Sequence, residues 1–169
     1  MKVFKSINKK TIALLLFFCL GNVYAQDKKP WMFRWQDKHA TKQIHRYVKY
    51  DTMIVTSQAN LHICFSNDNS KPYLLLLHGM GANGRTNWGS QFKALSKKFN
   101  LIVPDLIYFG ESTSTSNNYS PEFQVEQIHE AIIKLGINAK LNVMGFSYGG
   151  LSTAVYNQLF YKEVNKLII

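Results

Sequence analysis

Apolar residues in this chain fall into short runs separated by polar turns, and the runs alternate with stretches of helical spacing. Apolar and polar positions alternate around Arg46 to Thr56 and again in Leu61-His62-Ile63-Cys64-Phe65. That pair predicts an antiparallel hairpin leading into a sheet. After the polar turn Ser66 to Ser70, Tyr73 to Leu77 is apolar almost throughout. A strand covered on both faces needs such a run, as in a parallel sheet. Leu101-Ile102-Val103, stopped by Pro104, predicts a second buried strand, and Leu141 to Met144 a third. Leu167-Ile168-Ile169 begins one more.

Helices are expected between these strands. Trp88 to Lys98 has suitable spacing, as does Leu151 to about Tyr161. Ser120 to Leu135 carries the clearest signals: Ser120 as cap, Pro121 at the first helical position and Gly136 at the exit. Val125, Ile128, Ile132 and Leu135 then share one face. Strands alternating with helices imply a mostly parallel α/β sheet with right-handed crossovers. Chemistry in such sheets gathers at the carboxyl ends of the strands, where His78, Asp105 and Ser147 fall.

The first 25 residues read differently. Lys2, Lys5, Lys9 and Lys10 form a basic head, Thr11 to Leu20 is apolar, and Val23-Tyr24-Ala25 offers small residues at a cleavage site. This predicts a cleavable export signal cut after Ala25, with the membrane met through that segment alone, which would anchor the chain if left uncleaved. Residues 26–45 are then an N-terminal arm, and 46–169 the folded part. The chain has 169 residues and a formal charge of +10. Removing the four signal lysines leaves sixteen basic against ten acidic residues, about +6. That excess favours solubility, and no basic run with interleaved aromatics points to nucleic acid. Cys64 alone remains after export, so no internal disulfide is expected.

Gly145-Phe146-Ser147-Tyr148-Gly149-Gly150 lies between a predicted strand and a predicted helix. A serine at such a turn, with glycine two residues before and after, is a nucleophile elbow. The serine must adopt a strained backbone to present its hydroxyl, and strand and helix pass so close that side chains at Gly145 or Gly149 would collide. Two further strands end in chemistry-bearing turns: His78-Gly79-Met80-Gly81, and Pro104-Asp105-Leu106 with Gly110-Glu111-Ser112 behind it.

In this order the three motifs resemble the first half of an α/β-hydrolase domain, over roughly Tyr47 to Ile169. The fold implied is a mostly parallel sheet with flanking helices. The activity implied is that of a serine hydrolase cleaving a small ester or related carbonyl substrate through an acyl-enzyme on Ser147, with no metal or organic cofactor. The resemblance gives the oxyanion donors as the backbone N–H groups of Met80 and Tyr148. His78, Gly79, Gly81, Asp105, Gly145 and Gly149 are then structural: His78 packs under the oxyanion turn and Asp105 braces its loop. Ile107 and Tyr108 depart from the arginine and glycine that many members carry there.

The family places its acid and histidine after the nucleophile. All five histidines of this chain precede Ser147, and Glu163 is the sole acid after it. The chain is therefore expected to be a fragment, truncated after the elbow helix and showing little turnover alone. Two rival readings use other features. Gly79 to Gly84 spells G-x-G-x-x-G after a strand, with Asp105 about twenty residues on, as in a dinucleotide-binding turn. With Arg85 where lysine is required, the same stretch nearly fits a phosphate loop. A hydrolase-like protein that only binds is the other alternative. His62 and Cys64 share one side of a strand and suggest a metal, but no third ligand has suitable spacing, so packing is the expected account.

Overall fold

A computed structural model describes residues 31–68 and 70–169. The expected export signal lies outside the described residues. Residues 36–169 form one compact unit, which holds the sheet.

Helix α1, Trp31–Ile44, occupies much of the segment expected as an arm. The hairpin follows as β1, Tyr50–Val55, and β2, Ala59–Phe65, paired antiparallel with Asp51 opposite Cys64 and Met53 opposite His62. Strand β3 is Tyr73–Leu77, β4 is Asn100–Pro104, β6 is Leu141–Gly145 and β7 is Val164–Ile168. A two-residue strand, β5 at Thr113–Ser114, pairs with β2.

The expected helix from Trp88 to Lys98 is instead two short ones, α2 at Gly84–Trp88 and α3 at Phe92–Leu95. The earlier start has a local cause. Asn83 caps α2 by accepting from the Thr86 N–H, and the Thr86 side chain returns the bond, a reciprocal pair that satisfies two orphan donors. Gly89, Ser90 and Gln91 then separate α2 from α3. Helix α4, Pro121–Lys134, is capped by the Ser120 hydroxyl, which accepts from the Phe123 N–H. Helix α5, Tyr148–Phe160, leads through a short 3-10 turn into β7.

Among the described residues the strand order is β1-β2-β4-β3-β6-β7, with β5 beside β2. Strands β4, β3, β6 and β7 are parallel. The chain steps from β3 outward to β4, then back across β3 to β6 and on to β7. Crossovers of one hand must change face when the direction of travel reverses. They do: Trp88 and Phe92 of α2 and α3 pack with Leu74, Leu76, Leu101 and Val103. The α4 and α5 residues Phe123, Val125, Ile128, Val155 and Tyr156 pack on the other face with Leu75, Leu77, Ile102 and Val143. Strict alternation along β3 thus feeds two cores. The reversal puts the switch point of the sheet at the carboxyl ends of β3 and β6, where connections diverge and ligands of such sheets bind.

Candidate active site

Ser147 stands where β6 gives way to α5, with φ 55 and ψ −117. Positive φ is rare for a residue with a side chain and costs on the order of 1–3 kcal/mol. Two close approaches hold it there. A Cβ at Gly145 would sit 2.0 Å from the Gly149 carbonyl oxygen, and one at Gly149 would sit 2.1 Å from the Leu77 carbonyl oxygen. Strand β6, helix α5 and the end of β3 are pressed together without room for a methyl group. The serine above them is exposed. Among the described residues its hydroxyl makes no hydrogen bond.

The turn after β3 meets the elbow directly. A Cβ built at Gly79 would lie 3.3 Å from both the Phe146 carbonyl oxygen and the Ser147 Cβ. Gly81 has φ 78, which swings the chain around Met80. The N–H groups of Met80 and Tyr148 have no acceptor among the described residues. Tyr148 opens a helix of 13 residues, so its N–H also carries the positive end of the helix dipole. The Tyr148 hydroxyl accepts from Gln124 Nε2 at 3.0 Å, which ties the elbow to α4.

His78 is fully buried beneath this turn. Its Nε2 accepts from the Leu106 N–H at 2.9 Å, so Nδ1 carries the proton and donates to the Gly79 carbonyl at 2.8 Å. Burial pushes its pKa below the ordinary value and favours this neutral form. The imidazole bolts the β3 turn to the β4 turn.

Asp105 is also buried. Its Oδ1 accepts from the Gly84 N–H at 2.8 Å, and its Oδ2 from the Glu111 N–H and His62 Nδ1, both at 3.0 Å. Burial works against its charge, but the His62 and backbone bonds outweigh that and hold its pKa below the usual range. A Cβ at Gly110 would lie 2.0 Å from Asp105 Oδ2, so the loop closes tightly over the carboxylate. Ser112 completes the brace by donating to the Asp105 carbonyl at 2.7 Å and accepting from the His62 N–H at 3.0 Å. The G-x-G-x-x-G reading needs this acid to face a ribose. Here it faces inward and its oxygens are engaged.

Tyr108, where glycine is common in the resembling family, has φ 71. Its hydroxyl donates to the Ser116 carbonyl, and its ring lies 4.6 Å from that of Tyr119. Those contacts offset the backbone strain.

The sequence spacing missed one grouping. His62 and Cys64 do have a third potential ligand. The hairpin register sets Asp51 directly across from Cys64. Asp51, His62 and Cys64 offer donor atoms that all lie within 4.8 Å of one another.

Residues 72–169 match the sequence profile of the alpha/beta hydrolase fold. The chain belongs to the α/β-hydrolase family. Lipase 1 of Psychrobacter immobilis is 36% identical over 95 residues, which are 56% of this chain and 29% of the lipase. A 2-hydroxy-6-oxo-6-(2'-aminophenyl)hexa-2,4-dienoic acid hydrolase of Metapseudomonas resinovorans is 24% identical over 98 residues, 57% of this chain and 34% of that enzyme. A crystal structure of a putative lipase from Acinetobacter baumannii AYE superposes with a TM-score of 0.71 at 20% identity, covering 78% of this chain and 44% of that one. That likeness speaks for the α/β-hydrolase fold. The matches span about a third of the length of these two curated relatives.

Proposed function

We propose that this α/β-hydrolase chain belongs to an exported serine hydrolase that cleaves an ester or related carbonyl substrate through an acyl-enzyme on Ser147. One observation carries the proposal. The exposed Ser147 is held at φ 55 beside two N–H groups that have no acceptor among the described residues.

The chemistry follows from that arrangement. The Ser147 oxygen bonds the substrate carbonyl carbon, and its proton passes to a general base. Negative charge moves to the carbonyl oxygen. Met80 and Tyr148 N–H groups stabilise it, each worth about 3–4 kcal/mol by the loss seen when one such donor is removed. Collapse expels the alcohol with a proton from the base, and water then releases the acid by the same route. The family order puts the base and its acid partner after the nucleophile, so in this proposal they come from sequence beyond Ile169. Relatives named as lipases favour an ester, while the hexadienoic acid hydrolase keeps other carbonyl compounds in view. Export rests on the first 25 residues, as the sequence pattern suggests.

Labelling with a fluorophosphonate tests the nucleophile. Protein expressed from the complete coding sequence should be labelled, and Ser147→Ala should abolish the label. Persistent labelling of that variant refutes the assignment. A folded protein that never labels would be a binding protein on a hydrolase scaffold. Marked thermal stabilisation by NAD or ATP would instead revive the nucleotide reading.

A further inference from the structure

We infer that Asp51, His62 and Cys64 form a binding site for a zinc-like divalent cation, built across the β1–β2 hairpin and separate from the elbow. The inference does not rest on the proposed hydrolase activity.

The antiparallel register explains why the three residues meet. Directly opposed residues share a face of the sheet, as do residues two apart on one strand. Asp51 opposes Cys64, and His62 is two before it. His62 Nε2 lies 2.7 Å from Asp51 Oδ1 and 3.9 Å from Cys64 Sγ. In a tetrahedral zinc site, bond lengths of about 2.0–2.3 Å set donors roughly 3.4–3.6 Å apart. These two separations bracket that value and all three donors lie within 4.8 Å of one another, so side-chain rotation without a change of strand register would complete the geometry.

The surroundings suit a metal ligand. His62 Nδ1 donates to the buried Asp105 carboxylate at 3.0 Å. That carboxylate–histidine pairing fixes the ring and aims Nε2 at the cation. His45 Nε2 stands 3.5 Å from Asp51 Oδ2 and is half exposed, so it or a water can supply the fourth donor. Asp51 is part-exposed and gives the ion a way in, while His62 and Cys64 are buried. Arg85, whose charge bears on Cys64, is already engaged by Glu111. A thiolate, an imidazole and a carboxylate select zinc over magnesium or calcium, which prefer oxygen donors. Binding forms metal–sulfur, metal–nitrogen and metal–oxygen bonds to Cys64, His62 and Asp51, breaks the His62–Asp51 hydrogen bond, displaces water from the hydrated cation, and releases the Cys64 thiol proton and the His62 Nε2 proton to solvent.

Cobalt(II) titration of the EDTA-treated full chain tests the site. The expected result is one equivalent bound, with intense visible bands of tetrahedral cobalt and a near-ultraviolet thiolate-to-cobalt band. Zinc should displace the cobalt. Both signals should vanish in Cys64→Ala and persist in Cys19→Ala. Asp51→Asn, at a part-exposed position that should fold normally, should weaken binding at least ~10-fold, the lower range for losing even an outer-shell partner. A pale octahedral spectrum in the unaltered chain, or a tetrahedral spectrum surviving Cys64→Ala, overturns the inference. So does unchanged affinity in Asp51→Asn.

Discussion

The elbow follows β6 and Asp105 of the Asp51–His62–Asp105 cluster follows β4, parallel strands separated only by β3, yet opposite forces hold them. At the elbow, bare backbone packs on bare backbone: the carbonyls of Leu77 and Gly149 occupy the space where side chains would project. No side-chain hydrogen bond restrains Ser147 among the described residues. In the cluster, side chains carry everything. Burial disfavours charge on His62, but the Asp105 and Cys64 contacts outweigh it and hold its pKa well above the usual value. Sterics therefore fix the Ser147 backbone, and charge fixes the loop behind it. In the proposed function, being held by packing leaves the Ser147 oxygen free to react.

Substitutions can separate the two. The largest effect should fall on the elbow and on activity alone. Ser147→Ala should lower kcat of the complete enzyme about a million-fold while leaving its melting temperature nearly unchanged. The opposite outcome is expected in the cluster. Asp105→Ala leaves His62 Nδ1 and the Gly84 and Glu111 N–H groups without their acceptor, with Asp51 still facing the His62 charge. It should cost about 3–5 kcal/mol in denaturant unfolding, and a cost under about 1 kcal/mol would mean that charge does not hold this loop.

Smaller effects sharpen the contrast. Gly149→Ala pushes a methyl group into the Leu77 carbonyl and should cost about 1–3 kcal/mol. Ser147→Gly should do the reverse. By relieving the positive φ it should raise stability by about 1 kcal/mol and abolish fluorophosphonate labelling together. Loss of stability in that variant would show the elbow to be unstrained.

The smallest expected effect concerns the far end of the hairpin. Glu130 accepts from the Ser57 N–H at 2.8 and 3.0 Å and from the Ser57 hydroxyl at 2.7 Å, with Lys134 beside it. The Ser57 hydroxyl bond is the main cause that draws its pKa from 4.5 down to about 2. A depressed carboxyl contributes stability that is present above its unfolded pKa and fades as pH falls toward the folded one. Stability should therefore decline between about pH 4.5 and 2. Glu130→Gln should flatten that limb, by about 1 kcal/mol at most because the pair is solvent-screened. An acid limb unchanged in Glu130→Gln would assign the decline to other carboxylates.

Much of this was legible in one dimension. The buried runs of β3, β4 and β6 occur where they were expected, because strands covered on both faces can hardly hide polar residues. Ser120, Pro121 and Gly136 bounded α4 correctly, since capping satisfies orphan donors within four residues of chain. Local chemistry also accounts for what was misplaced. The Asn83–Thr86 capping pair starts α2 earlier than the apolar spacing suggested. Helix α1 has no apolar periodicity strong enough to stand out from its charged neighbours.

The amino-acid sequence determined the elbow on its own, since glycine, serine and glycine two residues apart encode a backbone geometry that neighbours in sequence enforce. Tertiary structure decided what lies behind it. Asp51, His62, Cys64 and Asp105 are up to 54 residues apart, and strand pairing brings them together. Register depends on which faces are buried across the whole sheet, so no window of sequence could have shown that an acid on one strand meets a histidine and a thiol on the next.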